Sequence, residues 1–270
     1  MKFRKIKVNY KIIIPFFLFI LFVLIFIYGR IINIHLKNNK FLEDAILISD
    51  KNKEKVFSLK KIILTSSANV VDNSENKTLQ DLNIYQFTDI AIFIDNGENL
   101  TNKNTVKKLT IDNISINTKS QKGIQSLNYE NFMNFGKPKI LKNETPQEID
   151  FDIIYTNEEN SNANYDEPTF YTDCSNPLTL GYLNNDIVTG YKIEENTSVS
   201  FNGKILKAAN VELNDIQSNI KFKVNIENNM QEKYSCWLNF DLPLSDIFNG
   251  VSLKAKELKG EKYIFFCEIP

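Results

Sequence analysis

The chain has 270 residues, a formal net charge of −1, arginine only at positions 4 and 30, and a single histidine, His35. That balance argues against nucleic-acid recognition, which leans on clustered Lys and Arg. It also leaves the body of the chain without the histidines needed for Ser-His-Asp, Cys-His or His-ligated metal chemistry. An apolar and aromatic content of 43% is ample for a packed core, so a folded chain is expected.

From Ile12 to Tyr28 the chain is uninterruptedly apolar or aromatic, and it is preceded by Lys2, Arg4, Lys5, Lys7 and Lys11. As a helix this run covers roughly 25 Å, so a membrane anchor over residues 12–34 is expected, with Lys11 and Arg30 snorkelling at its ends. No small-residue cleavage site follows, which favours an uncleaved signal-anchor over a signal peptide. The excess of basic residues before the run places residues 1–11 in the cytoplasm and the remainder outside: a single-pass protein of the cell membrane whose first partner is the lipid bilayer.

Residues 35–60 read as a charged stalk. Beyond it the period becomes two: Ile90, Ile92 and Ile94 alternate before the turn-forming Asp95-Asn96-Gly97, and Val106 to Asn117 gives another strand. Gly136, Pro138 and Pro146 suggest a linker or long loop over 136–148, dividing the tail into a first β unit (61–147) and a second β-sandwich unit (148–270). In the second unit Phe151, Ile153 and Tyr155 share one parity, and Leu178 to Tyr182 and Ile187 to Ile193 form further strands. Ile220 to Ile226 and Tyr234 to Leu242 make a half-buried hairpin around Asn228-Asn229, and Tyr263 to Ile269 closes the chain. No long helical stripe appears after residue 60. The expected fold is mainly β: an antiparallel β-sandwich tail of one or two Ig-like units behind one transmembrane helix.

Phe87-Thr88-Asp89 and Tyr171-Thr172-Asp173 hint at an internal duplication. The stretches FTDIAIFIDN (Phe87 to Asn96) and FYTDCSNP (Phe170 to Pro177) resemble stretches of uncharacterised, single-pass, membrane-anchored envelope proteins of AT-rich Gram-positive bacteria of clostridial type. The resemblance implies no activity and agrees with an extracytoplasmic tail.

Chemistry has few candidates. No catalytic residue, metal ligand or cofactor motif is assigned. Paired carboxylates of the glycosidase type are the surviving enzymatic alternative, a carbohydrate-active hydrolase, with Asp166, Glu167, Asp173, Glu194 and Glu195 the nearest acids. Asp72, Ser74 and Asn76 have the spacing of a Ca²⁺ loop, but Lys77 and Asn83 stand where Gly and a bidentate Glu are required. Cys174, Cys236 and Cys267 allow one disulfide or buried free thiols. Trp237, the only tryptophan, falls on the polar parity of its strand beside Ser235, Asn239 and Asp241; it is the leading candidate for a stacking platform or docking point. Tyr165, Phe170 and Tyr171 are a second aromatic candidate. The expected function is therefore non-enzymatic: an envelope protein whose tail binds a protein or cell-wall polymer, or serves a membrane assembly as an accessory subunit.

Overall fold

A computed structural model describes residues 56–75, 81–118, 122–155, 167–193, 199–257 and 265–267. The expected anchor and almost all of the stalk lie outside them; among the described residues no helix is long and apolar enough to cross a membrane.

The chain is mainly β. Sheet one has the order β10-β1-β2-β7-β4, and sheet two the order β11-β9-β8-β3-β5-β6. The strands are β1 (Ser58–Asp72), β2 (Leu82–Asp95), β3 (Val106–Thr118), β4 (Ile124–Tyr129), β5 (Ile149–Ile154), β6 (Thr169–Tyr171), β7 (Leu178–Tyr191), β8 (Ser218–Asn228), β9 (Lys233–Leu242), β10 (Ser252–Glu257) and β11 (Phe266–Cys267). All neighbours pair antiparallel except β5 and β6, which are parallel.

One core lies between the sheets. Sheet one contributes Leu59, Ile62, Leu64, Ile90, Ile92, Leu180 and Tyr182, and sheet two contributes Leu109, Ile111, Phe151, Phe170, Phe222, Val224 and Leu238. Because successive side chains of a strand point to opposite faces, β8 and β9 show this packing as a near-perfect alternation of buried and open positions. A second cluster closes one end, where α1 (Lys204–Ala208) and α2 (Leu213–Ile216) bring Ile205, Leu206 and Ile216 against Ala68, Ile84, Ile187 and Ile247.

Several expectations are corrected. Residues 55–270 form a single compact unit, and each sheet takes strands from both sides of residue 147, so the boundary at 147/148 does not divide the tail. Ser58 to Lys60 belong to β1 and not to the stalk. Leu178 to Tyr191 is one strand, not two. Phe87-Thr88-Asp89 lies within β2, whereas Tyr171-Thr172-Asp173 runs off the end of β6 into a turn. The two triplets have different settings and do not mark a repeat.

The expected linker is an irregular arm. Residues 136–146 cross the outer face of sheet one and tie down there. Ser126 Oγ donates to the Lys142 carbonyl, Asn185 Nδ2 to Asn143 Oδ1 at 2.5 Å, and Leu127 N–H to Thr145 Oγ1 at 3.0 Å. Leu141 packs on Tyr85, Phe87 and Leu183.

Cys174 and Cys236 are buried free thiols; the Cys267 side chain lies outside the description. Burial pushes the Cys236 thiol up to about 11 and raises Cys174 further, with Asp173 and Asp95 adding to the effect. Since the thiolate is the nucleophile, both should resist alkylation at pH 8 in the folded protein and react once it is unfolded. Mass spectrometry after iodoacetamide treatment with and without denaturant checks this, and rapid native labelling of either thiol would contradict it.

Candidate functional site

On the outer face of sheet two, β9 presents Ser235, Trp237, Asn239 and Asp241 while its other parity goes to the core. Trp237 lies opposite Lys223 of β8, and its side chain is 51% exposed. The Lys221 ammonium sits 4.5 Å from the indole centroid, a cation–π contact worth about 0.5–1 kcal/mol at an exposed site. Asn219 Nδ2 donates to Asp241 Oδ1 at 2.8 Å further along the same face. The strand pair therefore holds a large amphipathic ring in a fixed place among hydrogen-bonding and charged groups. This surface can stack a planar or sugar-like group and hydrogen-bond its edges.

The second aromatic candidate does not join it. Phe170 is fully buried between the sheets, because β6 turns that parity inward, and no ligand can reach it there. Tyr171 is half-buried on β6, at the opposite edge of sheet two from β9. Tyr165 lies outside the described residues, as do Asp166, Glu194 and Glu195. Of the acids, Glu167 is exposed before β6 and Asp173 accepts the Ser175 N–H at 3.0 Å beyond it, so β6 separates them. At the segment whose spacing resembles a Ca²⁺ loop, Asp72 Oδ1 accepts from Ser74 N–H and Oγ–H at 2.9 and 2.6 Å, and Asn76 lies outside the description. Among the described residues no group of acids, cysteines or histidines has the arrangement of a metal site.

Sequence reasoning missed a buried charge cluster beneath the arm. Asp89 of β2 is fully buried on the outer face of sheet one, and its Oδ1 lies 2.9 Å from Lys139 Nζ of the arm. Lys139 Nζ also contacts Glu130 Oε1 and stands 5.2 Å over the Phe87 ring. The Gly136 N–H donates to Asp89 Oδ2, and the Lys139 N–H donates to Tyr85 Oη at 3.1 Å. Glu130 Oε2 has no hydrogen-bond partner among the described residues and faces Gly181, where a Cβ would stand 3.4 Å from it.

Burial raises the Asp89 carboxyl, opposed by the Lys139 hydrogen bond and charge and by the Gly136 N–H. Burial lowers the Lys139 ammonium, opposed by Asp89. In both groups desolvation outweighs attraction, as is usual for buried ion pairs. Two carboxylates do converge here, with side chains 0% and 6% exposed, and through Lys139 the pair fastens the arm to the sheet. The signal available in sequence was Asp89 itself, one charge within the strand Leu82 to Ile94.

No protein-family model matches this chain, and no curated protein or solved structure matches it.

Proposed function

We propose that this protein is a non-enzymatic, membrane-tethered envelope protein whose two-sheet tail, displayed outside the cytoplasmic membrane, binds an envelope protein or cell-wall polymer through the Trp237 face. The tether is the apolar run Ile12 to Tyr28 with its basic prelude. The observation that carries the binding reading is the half-exposed indole of Trp237, held by β8 and β9 on an otherwise polar surface. Exposed large aromatic rings among polar neighbours are favoured at binding faces because they offer contact area at little conformational cost. The buried, lysine-paired state of Asp89 and Glu130 supports a scaffold over a hydrolase.

Because Trp237 is the only tryptophan, its emission reports this face directly. The full chain in detergent should show a saturable change in emission with wall-polymer fragments or with fractionated envelope protein. An emission unchanged by both would contradict the reading.

A further inference from the structure

The end of the sandwich at which β1 begins has an unusual surface. The β2–β3 loop, the β8–β9 turn, the ends of β4 and β5 and the start of β7 all lie there, by the registers Ser58↔Asp95, Val106↔Asn228 and Ile92↔Leu178. Five of the exposed large apolar side chains project from this end: Leu100, Phe132, Met133, Tyr155 and Met230, between 44% and 64% exposed. The opposite end has Ile124, Phe201 and Val251.

These tips are held in place. Asn228 Nδ2 donates to the Lys103 carbonyl at 2.8 Å and Asn229 N–H to the Thr105 carbonyl at 3.2 Å, locking the loop that bears Leu100 to the turn that bears Met230. Asn131 caps the short turn that bears Phe132 and Met133 by accepting the Met133 N–H at 2.8 Å, and Glu130 N–H donates to the Thr179 carbonyl at 3.2 Å. Apolar side chains fixed in open positions lose little further entropy when they are covered.

The chain enters at this end. Phe57, immediately before β1, is buried against Tyr234 and Phe265, and the apolar run ending at Tyr28 precedes it by a stretch easily long enough to let this end touch a bilayer. We infer that the apolar tips Leu100, Phe132, Met133 and Met230 insert into the headgroup–acyl boundary of the membrane that anchors the chain, so that the sandwich stands on the lipid and the Trp237 face looks sideways. This inference rests on the tether reading above. Glu98 and Asp173 share this end with Lys103 and Lys137, so the contact is apolar rather than electrostatic and needs no anionic lipid.

The test uses the full chain reconstituted in phosphatidylcholine vesicles with or without brominated acyl chains, which quench indoles by contact. In a Trp237→Phe background, the Met133→Trp and Met230→Trp variants should lose emission roughly two-fold in brominated vesicles, since interfacial insertion reaches about 5–10 Å into the boundary. The native Trp237, on the sheet face, should be unaffected. If the protein reconstitutes and both variants emit equally in the two kinds of vesicle, this inference falls while the tether stands. If the protein does not float with vesicles, the tether reading falls, and this inference falls with it.

Discussion

Replacing Lys139 by methionine should destabilise the folded tail by about 3–5 kcal/mol, the cost of removing one partner from a buried ion pair and leaving charge uncompensated. Two carboxylates, Asp89 and Glu130, face this one ammonium at the outer surface of sheet one, and all three side chains are buried there. The methionine keeps an apolar stem of similar length and loses only what the ammonium makes, its ion pairs and its place over the Phe87 ring. Adding Asp89→Asn and Glu130→Gln to Lys139→Met should recover most of the stability, because a neutral cluster of similar shape avoids the desolvation that outweighs attraction here.

The pH dependence has a defined sign. Asp89 has a folded pKa above its unfolded value near 3.9, so the folded state binds this proton more tightly. The stability associated with Asp89 is therefore greatest below about pH 4 and falls as pH rises through the folded pKa. Lys139 acts in the other sense, its lowered pKa letting stability rise as pH climbs toward its unfolded value near 10.4. Asp89→Asn should accordingly gain on the wild type between pH 4 and neutrality, with Glu130, Tyr85 and Lys139 the remaining titratable groups of the cluster. The penalty of Lys139→Met should shrink as pH falls toward 4. Urea denaturation across this pH range measures both, and a pH-independent difference between Asp89→Asn and wild type would show that Asp89 is not the titrating group.

Gly203→Ala should be the next most damaging substitution. The Gly203 N–H donates to the Gly250 carbonyl at 2.8 Å, bringing the start of α1 onto the turn before β10. A Cβ at this position would lie 1.9 Å from the Ile247 carbonyl oxygen and 2.5 Å from that of Gly250. Both obstacles are backbone, so the helix must move away from Ile247, and the end cluster of Ile205, Leu206 and Ile216 opens with it. Overpacking of this kind costs about 1–3 kcal/mol, and the upper end is expected where backbone meets the new atom on two sides. Gly136→Ala is the control. Gly136 has φ +75 but nothing within 4 Å of its Cβ position, so only the left-handed backbone cost of about 1–2 kcal/mol applies. If Gly203→Ala unfolds at the same urea concentration as wild type, the close approach of α1 is wrong.

How far the sequence could be read depended on how each strand is buried. β8 and β9 have one face in the core and one in water, so alternation gave the pair, to within two residues at each end, and the outward placement of Trp237. β2 is a central strand whose outer face is covered by the arm. From Ile84 to Ile92 every residue is buried, so the alternation that marks a half-buried strand does not extend before Ile90. The Gly and Pro residues of 136–148 correctly indicated irregular backbone, but composition does not distinguish a linker from an arm; Lys139 and Leu141 decide that by contacts distant in sequence. Sheet membership was illegible for the same reason, since β7 joins β2 and β10 joins β1 across long stretches of intervening chain.

The binding role of the Trp237 face is tested most directly by photo-crosslinking in intact cells. A benzophenone side chain at Asn239, exposed one step along the same face, should give a discrete adduct with a protein or a wall polymer. The adduct should disappear when Trp237→Ala is added, while a protease-resistant fold is retained. No adduct, or an adduct indifferent to Trp237→Ala, would contradict the assignment of this face as the binding surface.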